Sequence, residues 1–594
     1  MPYRADSPLR ASGLFGPIKI TREVAANERQ GDMKSSSSDR YPECLTTRRL
    51  LTQGAIFLPC AVAFPGRALA QPAEKEYVEA KTIYGRVRGA KSVGLASFKG
   101  IPYGGSLSGP NRFKAAPPLK PWTGVRDALQ FGAPSLQPGQ RRSEPAQDED
   151  CLFLNVWTPA ADGRKRPVMF YSHGGGFTAG SAASSYQDGS GLARTFDVVV
   201  VATNHRLGLV GYLYLGGLGG EEYATSGNQG LLDIRDGLKW VHDNIEAFGG
   251  DPGNVMIFGE SGGGAKTSCL YAMPAAAPYF NKASIESGPG IRMMPRDAAT
   301  ETTHMTLKEL GLEKSEWRKL LEVPTERLLA AQTALGKSGG GPLGMNGGRK
   351  GMGGGSRPGG FGPVVDGSVL PLNPFDPEAP AISKNKPLIV GLNRDETVFF
   401  FNQQRNTEVF NLTEQSLKER LAKEFGANAD AVFDTYRKSR PDASPSDLYV
   451  AITTARMIGI GAMTIAERKF AQHGAPAYMY IFKHESDALI PGTQRKMGAP
   501  HAMEIPYKFY NVQPPGQAAG GMMSVSGPQS EKASHNMAEM WSTFARTGRP
   551  AAKGQPDWPA YTTEKRATME IDAACQVVND PNSLERRLWE RLDP

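Results

Sequence analysis

The chain has 594 residues, 40% of them hydrophobic and 22% charged, with a formal net charge of +8. That length is enough to bury a large core. Residues 1–70 hold 10 of the 68 basic and 6 of the 60 acidic side chains, so half of the net charge sits there and the rest is dispersed, which leaves no case for a nucleic-acid-binding surface.

The first segment with a character of its own is residues 1–70. Thr47-Arg48-Arg49-Leu50-Leu51 is a twin-arginine pattern, followed by the apolar stretch 54–64 and by Ala68-Leu69-Ala70, an A-x-A cleavage signal. The apolar run is too short to span a bilayer comfortably. Export, cleavage after Ala70 and a mature chain starting at Gln71 are expected, in the periplasm or outside the cell, with no integral membrane segment left behind. The signal lies far from Met1, and Met33 offers a nearer start. Residues 71–594 carry the motifs that follow.

Pro167-Val168-Met169-Phe170 reads as a strand, and Tyr171-Ser172-His173-Gly174-Gly175-Gly176-Phe177 follows it. Three glycines let backbone N–H groups turn toward one point, as a site that stabilises an oxyanion requires. The most informative stretch is Asn254 to Thr267. Val255-Met256-Ile257-Phe258 reads as a strand, Gly259-Glu260-Ser261-Gly262-Gly263 matches G-x-S-x-G, and a helix opens after it. That strand–turn–helix context is what a nucleophile elbow needs. The glycines leave room for the chain to reverse, so Ser261 is the candidate nucleophile.

Gly336-Lys337-Ser338-Gly339-Gly340 matches the same five-residue pattern. No strand precedes it, and residues 336–362 are glycine-rich, so it reads as a chance match in a flexible loop. Gln513 to Ser530 has a similar character. Both lie close in sequence to candidate site segments. Leu388-Ile389-Val390-Gly391 reads as a buried strand, and Asp395 and Glu396 lie just beyond it. Sites in open α/β sheets gather at strand C-terminal ends, which favours this acidic pair.

A serine hydroxyl needs a base. Five histidines follow Ser261: His304, His473, His484, His501 and His535. His501 lies in a glycine–proline loop between apolar segments, but the residues alone leave the choice among the five open. No H-E-x-x-H zinc pattern occurs and no dinucleotide fingerprint follows a strand, so neither metal nor cofactor is expected. Gly336-Lys337-Ser338 lacks the first glycine of a phosphate loop, since position 331 is Ala. Only Cys151, Cys269 and Cys575 follow Ala70, which is not a disulfide framework.

Over residues 76–590 the chain resembles the type-B carboxylesterases, the group of the bacterial para-nitrobenzyl esterases and the cholinesterases. The resemblance rests on Gly85-Arg86-Val87-Arg88-Gly89, Phe98-Lys99-Gly100-Ile101-Pro102-Tyr103, Glu149-Asp150-Cys151-Leu152, the HGGGF loop, Asn228-Gln229-Gly230-Leu231-Leu232-Asp233, Phe248-Gly249-Gly250-Asp251-Pro252 and Trp541-Ser542-Thr543-Phe544-Ala545. It implies an α/β-hydrolase fold: one large, mostly parallel sheet flanked by helices, with decorating insertions. It implies hydrolysis of small-molecule carboxylic esters through an acyl-enzyme, with Ser261 as nucleophile, His501 as base and Glu396, not Asp395, as the acid. Gly175, Gly176 and Gly262 are the implied oxyanion donors. Ser287 is an implied supporting residue behind the triad, and His173 an uncatalytic loop position.

Three departures from the family pattern stand out. Gly262 replaces the usual Ala, with little effect expected because only its N–H is needed. Cys151 is present, but its usual upstream partner position is Ser135, so that bridge is expected to be absent. Thr397 stands where the family often has glycine. Two rival expectations remain: a lipase-like esterase acting on long acyl chains, and a cholinesterase-like binding protein without catalysis.

Overall fold

A computed structural model describes residues 76–139, 143–338, 358–513 and 525–592. The twin-arginine segment and the cleavage position at Ala70 lie outside the described residues, as do most of 336–362 and of Gln513 to Ser530.

The organising element is a 13-stranded sheet. Its strands are β1 (Glu76–Thr82), β2 (Gly85–Ser92), β3 (Leu95–Pro102), β4 (Val125–Asp127), β5 (Phe153–Thr158), β6 (Arg166–Ser172), β7 (Val199–Thr203), β8 (Gly250–Glu260), β9 (Lys282–Glu286), β10 (Leu388–Asn393), β11 (Ala477–Phe482), β12 (Ala567–Ile571) and β13 (Gln576–Asn579). Their spatial order is β1-β2-β3-β5-β7-β6-β8-β9-β10-β11-β12-β13, with β4 paired to β2. From β7 to β12 neighbouring strands run parallel, whereas the pairs among β1, β2, β3, β5 and β7 and the pair β12–β13 are antiparallel.

The reason for the parallel centre is legible in its residues. Every residue of β6, β7, β9 and β10 is buried. Strands covered on both faces must be apolar at consecutive positions. Alternate side chains enter two separate cores. Val168, Phe170, Val255 and Ile257 face one, with Leu231, Leu238, Ala265 and Leu270. Met169, Tyr171, Met256 and Phe258 face the other, with Met537, Trp541 and Phe544.

The helices that matter to the site are α1 (Gln229–Asn244), α2 (Gly262–Ala272), α3 (Arg296–Glu309), α4 (Thr325–Ser338), α5 (Thr397–Gln403), α6 (Pro445–Thr454), α7 (Ile460–Ala471), α8 (Glu504–Lys508), α9 (Pro528–Thr547) and α10 (Ser583–Leu592). α1 and α2 cover the first face and α9 the second. A third apolar cluster, with Phe401, Leu417, Tyr436, Leu448 and Trp589, ties α5, α6 and α10 into a helical cap beside β10. Pro445–Ala471 is the one helix among the described residues long and apolar enough to cross a bilayer by composition. Leu448, Val450, Ile452, Ile465 and Ala466 on it are buried in the core.

The glycine-rich segment is shorter than its composition suggests. α4 continues through Ser338, so the second G-x-S-x-G match begins inside a helix rather than in a loop. At the other end Phe361 is buried, and the Gly359 N–H donates to Thr302 Oγ1 on α3 at 3.0 Å. At this second end, packing and a hydrogen bond override glycine content.

Candidate active site

β8 delivers Ser261 and α2 carries the chain away from it. At Ser261 the backbone is left-handed, with φ 59° and ψ −122°. A non-glycine residue holds such a conformation only where its surroundings enforce it. Here the Ser261 N–H donates to the Glu286 carbonyl of β9 at 2.8 Å. The close approach also needs glycine on either side. A Cβ at Gly259 would lie 2.5 Å from the Gly263 backbone, and one at Gly263 would lie 2.0 Å from the Ser172 carbonyl.

The glycine loop after β6 lies against this elbow. Gly175 and Gly176 have φ of 88° and 64°, and neither N–H has a protein acceptor among the described residues. A Cβ at Gly262 would meet the Gly176 nitrogen at 2.4 Å and its carbonyl oxygen at 2.2 Å. The loop backbone thus packs into the space that an alanine methyl at 262 would fill.

The loops after β10 and β11 bring the acid and the histidine together. His501 Nδ1 and Glu396 Oε2 are 2.5 Å apart, and both side chains are buried. The second oxygen of Glu396 accepts from the Asn393 N–H at 2.7 Å. Burial pushes the Glu396 carboxyl up to about 8, against the pull of the Ser287 hydroxyl and the Asn393 N–H. Asp395, the neighbouring alternative, points elsewhere. Its carboxylate takes the Arg394 guanidinium at 2.6 Å and the Ala499 N–H at 2.9 Å, so it holds the histidine loop without reaching the ring.

Nε2 of His501 makes no hydrogen bond, and its nearest charged neighbour is Glu260 Oε1 at 3.2 Å. Ser261 and His501 share no hydrogen bond. Phe399 and Phe400 of α5 flank the imidazole with ring centroids at 5.6 and 4.7 Å.

Behind the ring lies a buried cluster of acids that motif reading did not find. Ser287, at φ 48°, donates its hydroxyl to Glu504 Oε1 at 3.5 Å. Glu504 Oε2 accepts from Asn393 Nδ2 at 2.6 Å. Burial pushes Glu504 up to about 7 and raises Glu260 well above the carboxylate range. Glu286 accepts from Trp541 Nε1 at 2.7 Å and from Ser284 Oγ at 2.8 Å, and pairs with the buried Lys508 ammonium. Glu260 was hidden because the x in G-x-S-x-G names no residue type. Glu504 and Lys508 were hidden inside the short apolar helix α8.

The other histidines make surface or structural contacts. His484 bridges Asp572 at 2.7 Å and Ser530 at 2.9 Å, and His535 faces Glu539 at 3.5 Å. His304 lies near Glu301, and His473 closes a turn after Phe470. Among the described residues, Cys151, Cys269 and Cys575 are free and buried. No group of three or more metal-ligating side chains occurs among the described residues. Thr397 has a use that glycine lacks: its hydroxyl reaches Thr453 Oγ1 at 2.8 Å and fastens the start of α5 to α6.

Comparison with known proteins agrees with this architecture. The model of the carboxylesterase family matches residues 74–589. The chain is 34% identical over 511 residues to the para-nitrobenzyl esterase of Bacillus subtilis, covering 85% of this chain and 97% of that one. It is 31% identical over 478 residues to the fumonisin B1 esterase of Sphingopyxis macrogoltabida, covering 79% and 82%. A carboxylesterase of Geobacillus stearothermophilus, solved by crystallography, superposes with a TM-score of 0.73 at 36% identity, over 86% of this chain and 99% of that one. The fold these proteins share is the α/β-hydrolase fold that the sequence implies. With the family model and relatives at this identity spanning most of the chain, the protein is a carboxylic ester hydrolase and belongs to the carboxylesterase family.

Proposed function

We propose that the protein is an exported serine esterase that cleaves small-molecule carboxylic esters through an acyl-enzyme. The observation that carries this reading is the 2.5 Å contact between Glu396 and His501 beside a serine in a strained elbow. Ser261 Oγ attacks the ester carbonyl and His501 Nε2 takes its proton. Glu396 fixes the ring tautomer and stabilises the imidazolium. The N–H groups of Gly175, Gly176 and Gly262 hold the oxyanion. The alcohol leaves with the proton from His501, and water, deprotonated by the same ring, releases the acid.

A fluorophosphonate probe should label Ser261, and peptide mapping should find no adduct at Ser338. Ser261→Ala should lower kcat by several orders of magnitude. An adduct elsewhere, or full activity in Ser261→Ala, would overturn the assignment. Relatives include a phenmedipham hydrolase and a fumonisin B1 esterase, and hydrolysis of esters that differ in acyl and alcohol group is proposed here too. Rates on an ester panel that varies each side separately would measure it, and activation by emulsified substrate would mark the lipase-like alternative. Export rests on the twin-arginine segment. N-terminal sequencing of secreted or periplasmic protein should read Gln71 onward, and replacing Arg48 and Arg49 by lysine should retain the precursor in the cytoplasm.

A further inference from the structure

Lys266 is fully buried on α2, five residues after the nucleophile, and no acidic side chain lies within ion-pair distance among the described residues. A buried cation without a counter-charge is costly, so its surroundings must use it. Its Nζ donates to the His173 carbonyl at 3.0 Å, the first residue of the glycine loop, and lies 5.9 Å from the centre of the Phe177 ring at the loop's other end. The carboxylates of the strands that pack against α2 are engaged elsewhere, Glu260 beside His501 and Glu286 with Lys508. Asp233 of α1 is engaged by Arg206. The groups beside Lys266 are imidazoles. His173 stacks on His205 with centroids 4.5 Å apart, and His205 is buried with neither ring nitrogen hydrogen-bonded. Burial lowers His205 well below the ordinary histidine range, and the Lys266 charge adds to this.

We propose that Lys266 is a positioning residue for the oxyanion loop: by holding the His173 carbonyl from beneath, it fixes the backbone that places Gly175 and Gly176 against Gly262. The inference rests on the serine-esterase reading above. The far end of the loop is tied separately, by the Gly208 N–H to the Phe177 carbonyl at 2.7 Å and by Gln137 to Gly180, and Lys266 holds the near end. Two left-handed glycines follow His173, and the Ala179 N–H to the Gly175 carbonyl, at 3.1 Å, closes the turn from within. The lysine joins it to the same helix that begins at the nucleophile, so donors and nucleophile move as one body. Burial pushes the ammonium down to about 7, and in either protonation state Nζ keeps a hydrogen to donate.

The test compares Lys266→Met, which keeps length and removes the donor, with Lys266→Gln, which keeps a donor. kcat and KM are read on p-nitrophenyl acetate, and the inhibition constant on an aryl trifluoromethyl ketone, whose adduct with serine carries an oxyanion. Active sites are counted by fluorophosphonate titration. Lys266→Met should lose about 10- to 100-fold in kcat per titrated site, keep KM within about threefold, and weaken the ketone by the same factor as kcat. Lys266→Gln should recover most of both. The inference is overturned if folded Lys266→Met binds the ketone as wild type does, or if its loss of rate follows only its loss of titratable sites. Should Lys266→Met not fold, Lys266→Gln decides alone: ketone affinity within about threefold of wild type supports the donor role, and a larger loss in folded protein overturns it. A failure of the serine-esterase reading shows separately, as activity retained in Ser261→Ala.

Discussion

At the residue scale the site turns on which of two adjacent carboxylates faces His501. Glu396 contacts the ring, while Asp395 faces Arg394 and the Ala499 N–H. Glu396→Gln keeps the volume, loses the charge that stabilises imidazolium and favours the wrong tautomer, so kcat should fall by roughly three to four orders of magnitude. Asp395→Asn keeps an acceptor for Ala499 and should cost about tenfold at most. Kinetics of both variants, with circular dichroism to establish folding, check this; a larger loss in Asp395→Asn would move the acid by one residue. Gly262 gives a second prediction. Its Cβ position is already filled by the Gly176 backbone, so Gly262→Ala must displace the loop. A shift on the order of 1 Å in donor placement can cost up to about 100-fold in rate. kcat should fall with the melting temperature nearly unchanged; wild-type kcat would show that the loop gives way freely.

At the scale of elements, the short helix α8 carries the connection between His501 and the sheet. Lys508 at its end reaches Glu286 at the end of β9, and both side chains are fully buried. Removing one partner of such a pair leaves a charge without compensation, at roughly 3–5 kcal/mol, whereas removing both costs far less. Lys508→Met should therefore destabilise strongly, and Lys508→Met with Glu286→Gln should recover much of the loss. Urea unfolding of the two singles and the double measures the coupling. Additive effects would mean that the pair holds nothing together.

For the whole molecule, the buried acids predict the pH dependence of stability. Burial raises Glu504 to about 7 from an ordinary 4.5. The folded state then binds the proton more tightly than the unfolded state, so this group's contribution is full below pH 4.5 and is lost as pH rises toward 7. Glu504→Gln cannot ionise. Its melting temperature relative to wild type should therefore improve as pH rises from 5 to 8, and a constant difference would show that Glu504 ionises as easily folded as unfolded.

Much of this protein was determined by sequence alone, for a local reason. The elbow at Ser261 and the loop at Gly174–Gly176 are built from glycines that only particular backbone paths require, and the buried parallel strands from unbroken apolar runs. Such features are written in consecutive residues. The pairing of His501 with Glu396 joins residues 105 apart in the chain, and residue chemistry left five histidines open until the family resemblance selected one. What only the tertiary structure decided is how distant residues share space. It brought Glu260, Glu286, Glu504 and Lys508 into one buried cluster. It set Gly176 where a methyl at 262 would sit, and Lys266 beneath the His173 carbonyl. Each of these depends on packing between elements far apart in sequence, and burial, which sets their charges, is a property of the folded chain.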